Sequence, residues 1–347
     1  MAGQIVNKLV DKLDVRKTLW QKKTVCKKVL LSAIVIFSFL GWNLDAQCQD
    51  YPTRDIEMII GMPAGGTVDV CTRALLPEVS KILGKQLIPI NKSGGGGSLP
   101  VSLLANSKGD GYTISAQNSA AVTNAPHLGP VSYDPLKDLT PIIQFGILIP
   151  IYLVQYDSPI NSFRELVEFA KKNPGKVSLG HPGVGVVPHL VMELVKLKEK
   201  VNIVSVPFKG GPPAMTALLG GHVTVCGTSI NSGMSNIRAG KIKAIGVTSP
   251  ERAEALPNVP TLLEQGFPYG AWTEMYLILG PKGMPPSVVE KLENAFRTAI
   301  KTPAFKNFVS KFYMYEENPI SGQELKDWVE KEYIKAGEIV REAGIGK

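Results

Sequence analysis

Apolar positions along the chain follow two periods, and the places where one gives way to the other mark its elements. Met58, Ile59 and Ile60, bounded by Gly61 and Pro63, read as a buried strand. After the Ala64-Gly65-Gly66 turn, Val68, Leu75, Val79 and Ile82 recur at helical spacing, with Leu76 and Leu83 widening the stripe. The unit is strand, glycine turn, helix. Unpaired N–H groups at such a helix start, together with the positive end of its dipole, make a seat for an anion. The pattern returns about 120 residues later. Val177-Ser178-Leu179 is the strand, Gly180-His181-Pro182-Gly183-Val184-Gly185 the turn, and Pro188 fits the first helical position. Two anion seats in two halves of one chain suggest a ligand with two acidic ends, held in a cleft.

The remaining segments alternate in the same way. Residues 86–90 and 112–116 read as strands, the second ending in Gln117, Asn118 and Ser119. Polar groups at the carboxyl end of a strand are where ligands sit in open α/β sheets. Residues 142–154 are almost wholly apolar and fit strands leaving the first lobe. Ser162-x-x-Glu165 has the spacing of a capping box. Residues 201–208 form a further strand, and Lys209-Gly210-Gly211-Pro212-Pro213 leads into a helix. Residues 223–226 and 244–247 are strands too, the first followed by Gly227, Thr228 and Ser229. Residues 267–279, with Trp272 and Glu274, return the chain to the first lobe. Ser287 is expected to cap the next helix, and Ser321-x-x-Glu324 to open the last. Pro77 is expected to kink the first helix. The alternation argues an α/β fold with largely parallel sheets.

Composition changes the picture at the N-terminus. Residues 1–46 carry eight Lys and Arg against Asp11, Asp14 and Asp45, then an apolar run over 29–42 and the small-residue site Leu44-Asp45-Ala46. This is a signal-peptide pattern, with an uncleaved anchor as the alternative. The formal charge of +8 then falls to about +3 in the mature chain, 30 basic against 27 acidic residues, and no basic stripe with interleaved aromatics remains. Nucleic acid is not an expected partner. Cleavage after Ala46 leaves Cys48, Cys71 and Cys226, an odd number that cannot all pair within one chain, and Gln47 is a poor residue before a lipidated cysteine.

The candidate chemistry is binding, not catalysis. The four glycines of residues 94–97 are followed by no Gly-Lys-Ser/Thr, so no nucleotide loop is read there. There is no Gly-x-Ser-x-Gly elbow, no His-Glu-x-x-His and no Cys-x-x-Cys, so the sequence argues no enzyme, no metal and no cofactor. The ligand-binding candidates in the first half are Ala64, Gly65, Gly66, Thr67, Asp69, Gln117, Asn118 and Ser119. In the second half they are His181, Gly183, Val184, Gly185, His189 and Thr228. Asp69 is read either as a first-turn carboxylate favoured by the dipole or as a group that orders amides and water for the ligand. His189 is read first as a structural histidine bonded to its loop, and second as a ligand contact. Neither glycine loop carries a cation. The nearest in sequence, Arg73, lies about a turn too far along its helix.

Several of these motifs stand together in one known family. From Tyr51 to the C-terminal helix the chain resembles the Bug-type solute receptors of tripartite tricarboxylate transporters. The resemblance rests on Tyr51-Pro52, Pro63-Ala64-Gly65-Gly66-x-x-Asp69, Gly109-Asp110-Gly111-Tyr112-Thr113 and Tyr133-Asp134-Pro135-Leu136-Lys137-Asp138. It continues through Pro182-Gly183-Val184-Gly185 with His189-Leu190, Lys209-Gly210-Gly211, Leu218-Leu219-Gly220-Gly221, Arg238-Ala239-Gly240-Lys241 and Pro260-Thr261. It implies a periplasmic two-lobed α/β receptor of the type II Venus-flytrap kind, with a cleft between the lobes. Residues 51–151 and 276–347 would form lobe 1, and residues 152–275 lobe 2. The resemblance also implies that the two glycine loops hold a ligand carboxylate through backbone amides and water. The ligand would be a mono-, di- or tricarboxylate, aromatic acids included, passed to membrane transporter subunits. The alternative is a sensor that presents its loaded form to a membrane signalling protein. Cys71, Cys226 and the Gln117-Asn118-Ser119 turn depart from the family pattern.

Overall fold

The computed structural model describes residues 51–314 and 318–346. The expected leader, its cleavage site and Cys48 lie outside the described residues. Among those described, no helix is long and apolar enough to cross a membrane.

Two five-stranded sheets organise the chain. In the first, β1 (Ile56–Ile60), β2 (Leu87–Asn91) and β3 (Thr113–Asn118) run parallel in the order β2-β1-β3. Strand β10 (Glu274–Pro281) follows antiparallel to β3, and β4 (Leu139–Leu148) closes the edge antiparallel to β10. The second sheet repeats that order with β6 (Val177–His181), β7 (Ile203–Pro207) and β8 (Val225–Ser229) parallel as β7-β6-β8. Strand β5 (Pro150–Gln155) then lies antiparallel between β8 and β9 (Ile242–Val247). The chain crosses from the first sheet to the second at Ile149, and returns in the segment between β9 and β10.

Helices cover both sheets. In the first lobe α1 (Thr67–Leu83) packs on α9 (Pro286–Ile300), and α2 (Ser98–Ala105) packs on β3. The short helices α3 (Ala120–Thr123) and α4 (Ala125–Leu128) follow β3 directly. In the second lobe α5 (Phe163–Lys172), α6 (Val187–Glu199), α7 (Gly211–Leu219) and α8 (Ile230–Arg238) connect the strands. Its core carries an aromatic stack, with Tyr152 and Phe163 at 4.7 Å and Phe163 edge-on to Phe267 at 5.1 Å. Helix α10 (Pro303–Phe312) and the long α11 (Gly322–Ala343) end the chain. Leu325 and Val329 of α11 join the first-lobe core, whereas Ala336, Ile339 and Val340 join the second. One rigid helix thus spans both lobes, and Lys198 of α6 pairs with its Glu342 at 2.8 Å.

Local chemistry corrects several sequence readings. Helix α9 starts at Pro286 with Pro285 as its cap, because a proline's fixed φ suits the first turn; Ser287 lies inside it. Ser321 stands at the N-cap of α11 as expected, but its hydroxyl makes no capping bond, since it donates to Glu293 Oε1 at 2.6 Å and receives Arg297. Ser162 does cap α5, accepting from Glu165 N at 3.1 Å. Strand β3 runs on to Asn118, so Gln117 belongs to the sheet and not to a turn.

Candidate functional site

The two repeated units share their local geometry residue by residue. Gly65 and Gly185 have φ of +78° and +88°, a left-handed backbone that favours glycine. The caps that follow, Gly66 and Val186, are both extended, with φ/ψ of −69°/161° and −68°/155°. In each unit the residue four places after the glycine reaches back to hold its N–H. Gly65 N donates to Asp69 Oδ2 at 2.9 Å, and Gly185 N donates to His189 Nδ1 at 3.2 Å.

Each of these clamps is held from behind. The buried Asp69 carboxylate also accepts from Asn91 Nδ2 at 2.8 Å and Arg73 Nε at 2.7 Å. Burial pushes its carboxyl up, but the bonds from Asn91, Gly65 and Arg73 outweigh this and hold it below the ordinary value. His189 stacks on His181 with ring centroids 4.6 Å apart, and His181 reaches Gly183 O at 2.7 Å and Ser205 Oγ at 3.0 Å. Burial lowers both imidazoles to about 4, so both are neutral at physiological pH.

A cleft of about 200 Å³ opens where the carboxyl ends of β1, β3, β6, β7 and β8 converge. From the first lobe Ala64, Gly65, Gly66, Thr67 and Asn118 border it. From the second come Val186, Pro188, Thr228, Ser229, Ser232 and the Lys209-Gly210-Gly211 loop. Glu274 and Tyr276 of β10 form part of the wall. The first-turn N–H groups of Thr67 and Val68 have no acceptor within α1. Two bonds join the lobes beside the cleft: Asn124 Nδ2 donates to Gly185 O at 2.7 Å, and Val187 N donates to Glu274 Oε1 at 3.1 Å.

The family model described as "Tripartite tricarboxylate transporter family receptor" matches residues 71–345. The chain belongs to this family. The "UPF0065 protein in gbd 5'region" of Cupriavidus necator is 35% identical over 329 residues, which cover 93% of this chain and 98% of that one. The structure of the periplasmic binding protein BugD is similar at a TM-score of 0.78 and 30% identity, covering 86% of this chain and 100% of BugD. That of R. palustris Rpa4515 with adipate has a TM-score of 0.78 at 26% identity, covering 85% and 99%. Fold and family are those of a two-lobed periplasmic solute-binding receptor of the Bug type.

In this receptor the sequence-predicted residues divide into three groups. Ala64, Gly65, Gly66, Thr67, Asn118 and Thr228 border the cleft. Asp69, His181, Gly183, Gly185 and His189 stand behind it and shape the loops. Gln117, Ser119 and Val184 do neither. Gln117 is fully buried beside Ser115, against Gly61, where a Cβ would meet its Oε1. Ser119 Oγ accepts from Met275 N at 3.2 Å, pinning β10, and Val184 is exposed on its loop.

Two functional candidates escaped the sequence reading. Lys209 brings a cation to the cleft from a third loop, while Arg73 is turned away to Asp69 and Asn91. Glu274 was read only as part of a returning strand. A lone acid in an otherwise apolar segment was the available signal. Its seat at the start of α6 also corrects the expectation of two open anion seats, because the protein's own carboxylate fills the second.

Proposed function

We propose that this receptor, exported by its N-terminal leader to the periplasm, closes its lobes on a small organic carboxylate and hands it to membrane transporter subunits. The observation that carries the reading is the α1 start, where Gly65, Gly66 and Thr67 border a cleft walled by both lobes and a first-turn N–H has no acceptor within the helix. Lys209 at the same cleft adds a positive charge suited to an acid. The adipate held by Rpa4515 supports the ligand class. Closure turns on the crossings of the chain between the sheets, near residues 150 and 275, with α11, packed in both cores, as the third link that must follow. A ligand touching both lobes favours the closed form by its differential affinity.

A thermal-shift screen of organic acids against the mature protein tests the ligand class, since a ligand in excess raises the melting temperature by mass action. Acids that shift the curve, with sugars and cationic amines inert, support the reading. The reverse pattern removes it. Uptake of the hit acid in cells lacking this gene then tests transport: unchanged uptake rejects delivery to a carrier.

A further inference from the structure

The two strand–turn–helix units follow one plan and part at one point. In the first, Thr67 opens the helix at the edge of the cleft, where a first-turn N–H has no acceptor within the helix. In the second, Val187 N is given to Glu274, Pro188 has no N–H, and His189 N bonds to Val186 O at 3.0 Å. Gly185 N is held by His189. A helix start of this kind draws a negative group, and here the chain supplies one. Glu274 reaches it from the other sheet, at the first position of β10, and its second oxygen accepts from Asn118 Nδ2 at 3.0 Å. The side chain is buried at 7% exposure, yet it borders the cleft.

Resting on the carboxylate-receptor reading above, we infer that Glu274 determines specificity. Its carboxylate stands where a ligand's second acidic end would otherwise sit, so the cleft selects a small monocarboxylate bearing a hydroxyl or ammonium at the end facing Glu274. A carboxylate has about four lone-pair directions, and the two bonds to Val187 and Asn118 leave acceptor capacity for such a donor. Burial holds the Glu274 carboxyl above its ordinary value, but each of its oxygens accepts an N–H. A second ligand carboxylate would therefore meet an acceptor and a helix start with no donor left. Among the described residues, the ionisable side chains bordering the cleft are Lys209, a cation, and Glu274, a hydrogen-bond acceptor. One acidic end and one donor end match them; two acidic ends do not.

Calorimetric titration of the mature protein at neutral pH decides this with three acids of equal backbone length: succinate, γ-hydroxybutyrate and γ-aminobutyrate. The wild type should bind the hydroxy or amino acid at least about tenfold tighter than succinate, and Glu274→Gln should abolish or reverse that preference. The wild-type ratio alone is a test if the variant does not fold. A wild type that prefers succinate overturns the inference, as does a preference that Glu274→Gln leaves unchanged; in both cases the carboxylate-receptor reading survives. No binding by these acids or by any acid of the wider screen removes both.

Discussion

Replacing Asp69 by Asn keeps the shape of the first loop's clamp and removes its charge. The carboxylate accepts three hydrogen bonds, from Gly65 N, Asn91 Nδ2 and Arg73 Nε, at 2.9, 2.8 and 2.7 Å, and is 3% exposed. An amide offers one oxygen and turns its NH2 towards at least one of those donors. A hydrogen bond to a buried charge is worth about 1.5–3 kcal/mol, and an orphaned donor adds its own desolvation cost, so a loss of about 2–4 kcal/mol is expected. For a chain of this size that lowers the melting temperature by roughly 3–6 °C. Arg73→Ala is the control. Its side chain is 45% exposed and it removes one of three donors, so its effect should stay under about 1 kcal/mol. The Asp69 contribution also has a defined pH sign. The folded carboxyl lies below its ordinary 3.8, so the stabilisation is full above that value and is lost as pH falls through the folded pKa. Melting curves of the wild type and Asp69→Asn should therefore converge in acid. Calorimetric titration with a hit acid should show at least about tenfold weaker binding, since the loop beside the α1 start is no longer pinned. An Asn variant that melts within about 1 °C of the wild type and binds equally would refute the clamp argument.

Three further outcomes are expected. His181 and His189 are held neutral by burial with values near 4, so the unfolded chain binds more protons between about 6.5 and about 4 and stability should fall across that window. Either residue alone accounts for about 3 kcal/mol, and melting temperatures of His189→Gln that track the wild type through the window would contradict this. Gly65→Ala meets no atom within 4 Å and should cost only the positive-φ penalty of about 1–2 kcal/mol, whereas a Cβ at Gly185 would sit 2.4 Å from Leu128 Cδ1. Gly185→Ala should thus impair closure, read by scattering as a larger radius of gyration at saturating ligand; equal closure of both variants would show that the contact yields freely. Cys71 and Cys226 are free and buried, so both thiols should react in denatured, unreduced protein and neither in the native state, where burial pushes the Cys226 thiol up to about 12. A disulfide between the two would oppose the fold described.

The repeated strand–glycine–helix unit was legible because its causes are local. Apolar period, a left-handed glycine and a helix start lie within a dozen residues or so, and they fix the loop geometry at Gly65 and Gly185 alike. Asp69 and His189 were legible as loop-holding residues for the same reason, being one helical turn from the groups they hold. Gln117 was misread because strand length is set by pairing with β1 and β10, which sequence does not display, and a longer β3 carries the residue into the core. Lys209 was missed because its approach to the cleft depends on β7 lying beside β6. Ser321 opens α11 as read, but its capping bond is lost to a competing partner, Glu293, that is distant in sequence and adjacent in space.

Glu274 has the longest chain of dependence, and that is why it carries the most information. Its position requires β10 to cross back from the second lobe and insert between β3 and β4, and its two partners come one from each lobe. Burial pushes its carboxyl above the ordinary value, and the bonds from Asn118 and Val187 offset only part of that. A buried acid with so few partners is costly, and apolar packing or a glutamine would fill the same space at lower cost. The Val187 bond requires α6 and β10 to lie side by side, whereas the Asn118 bond stays within the first sheet. A structural role alone would be met by any acceptor. The full carboxylate beside a solute cleft is better matched to a partner that arrives with its own donor.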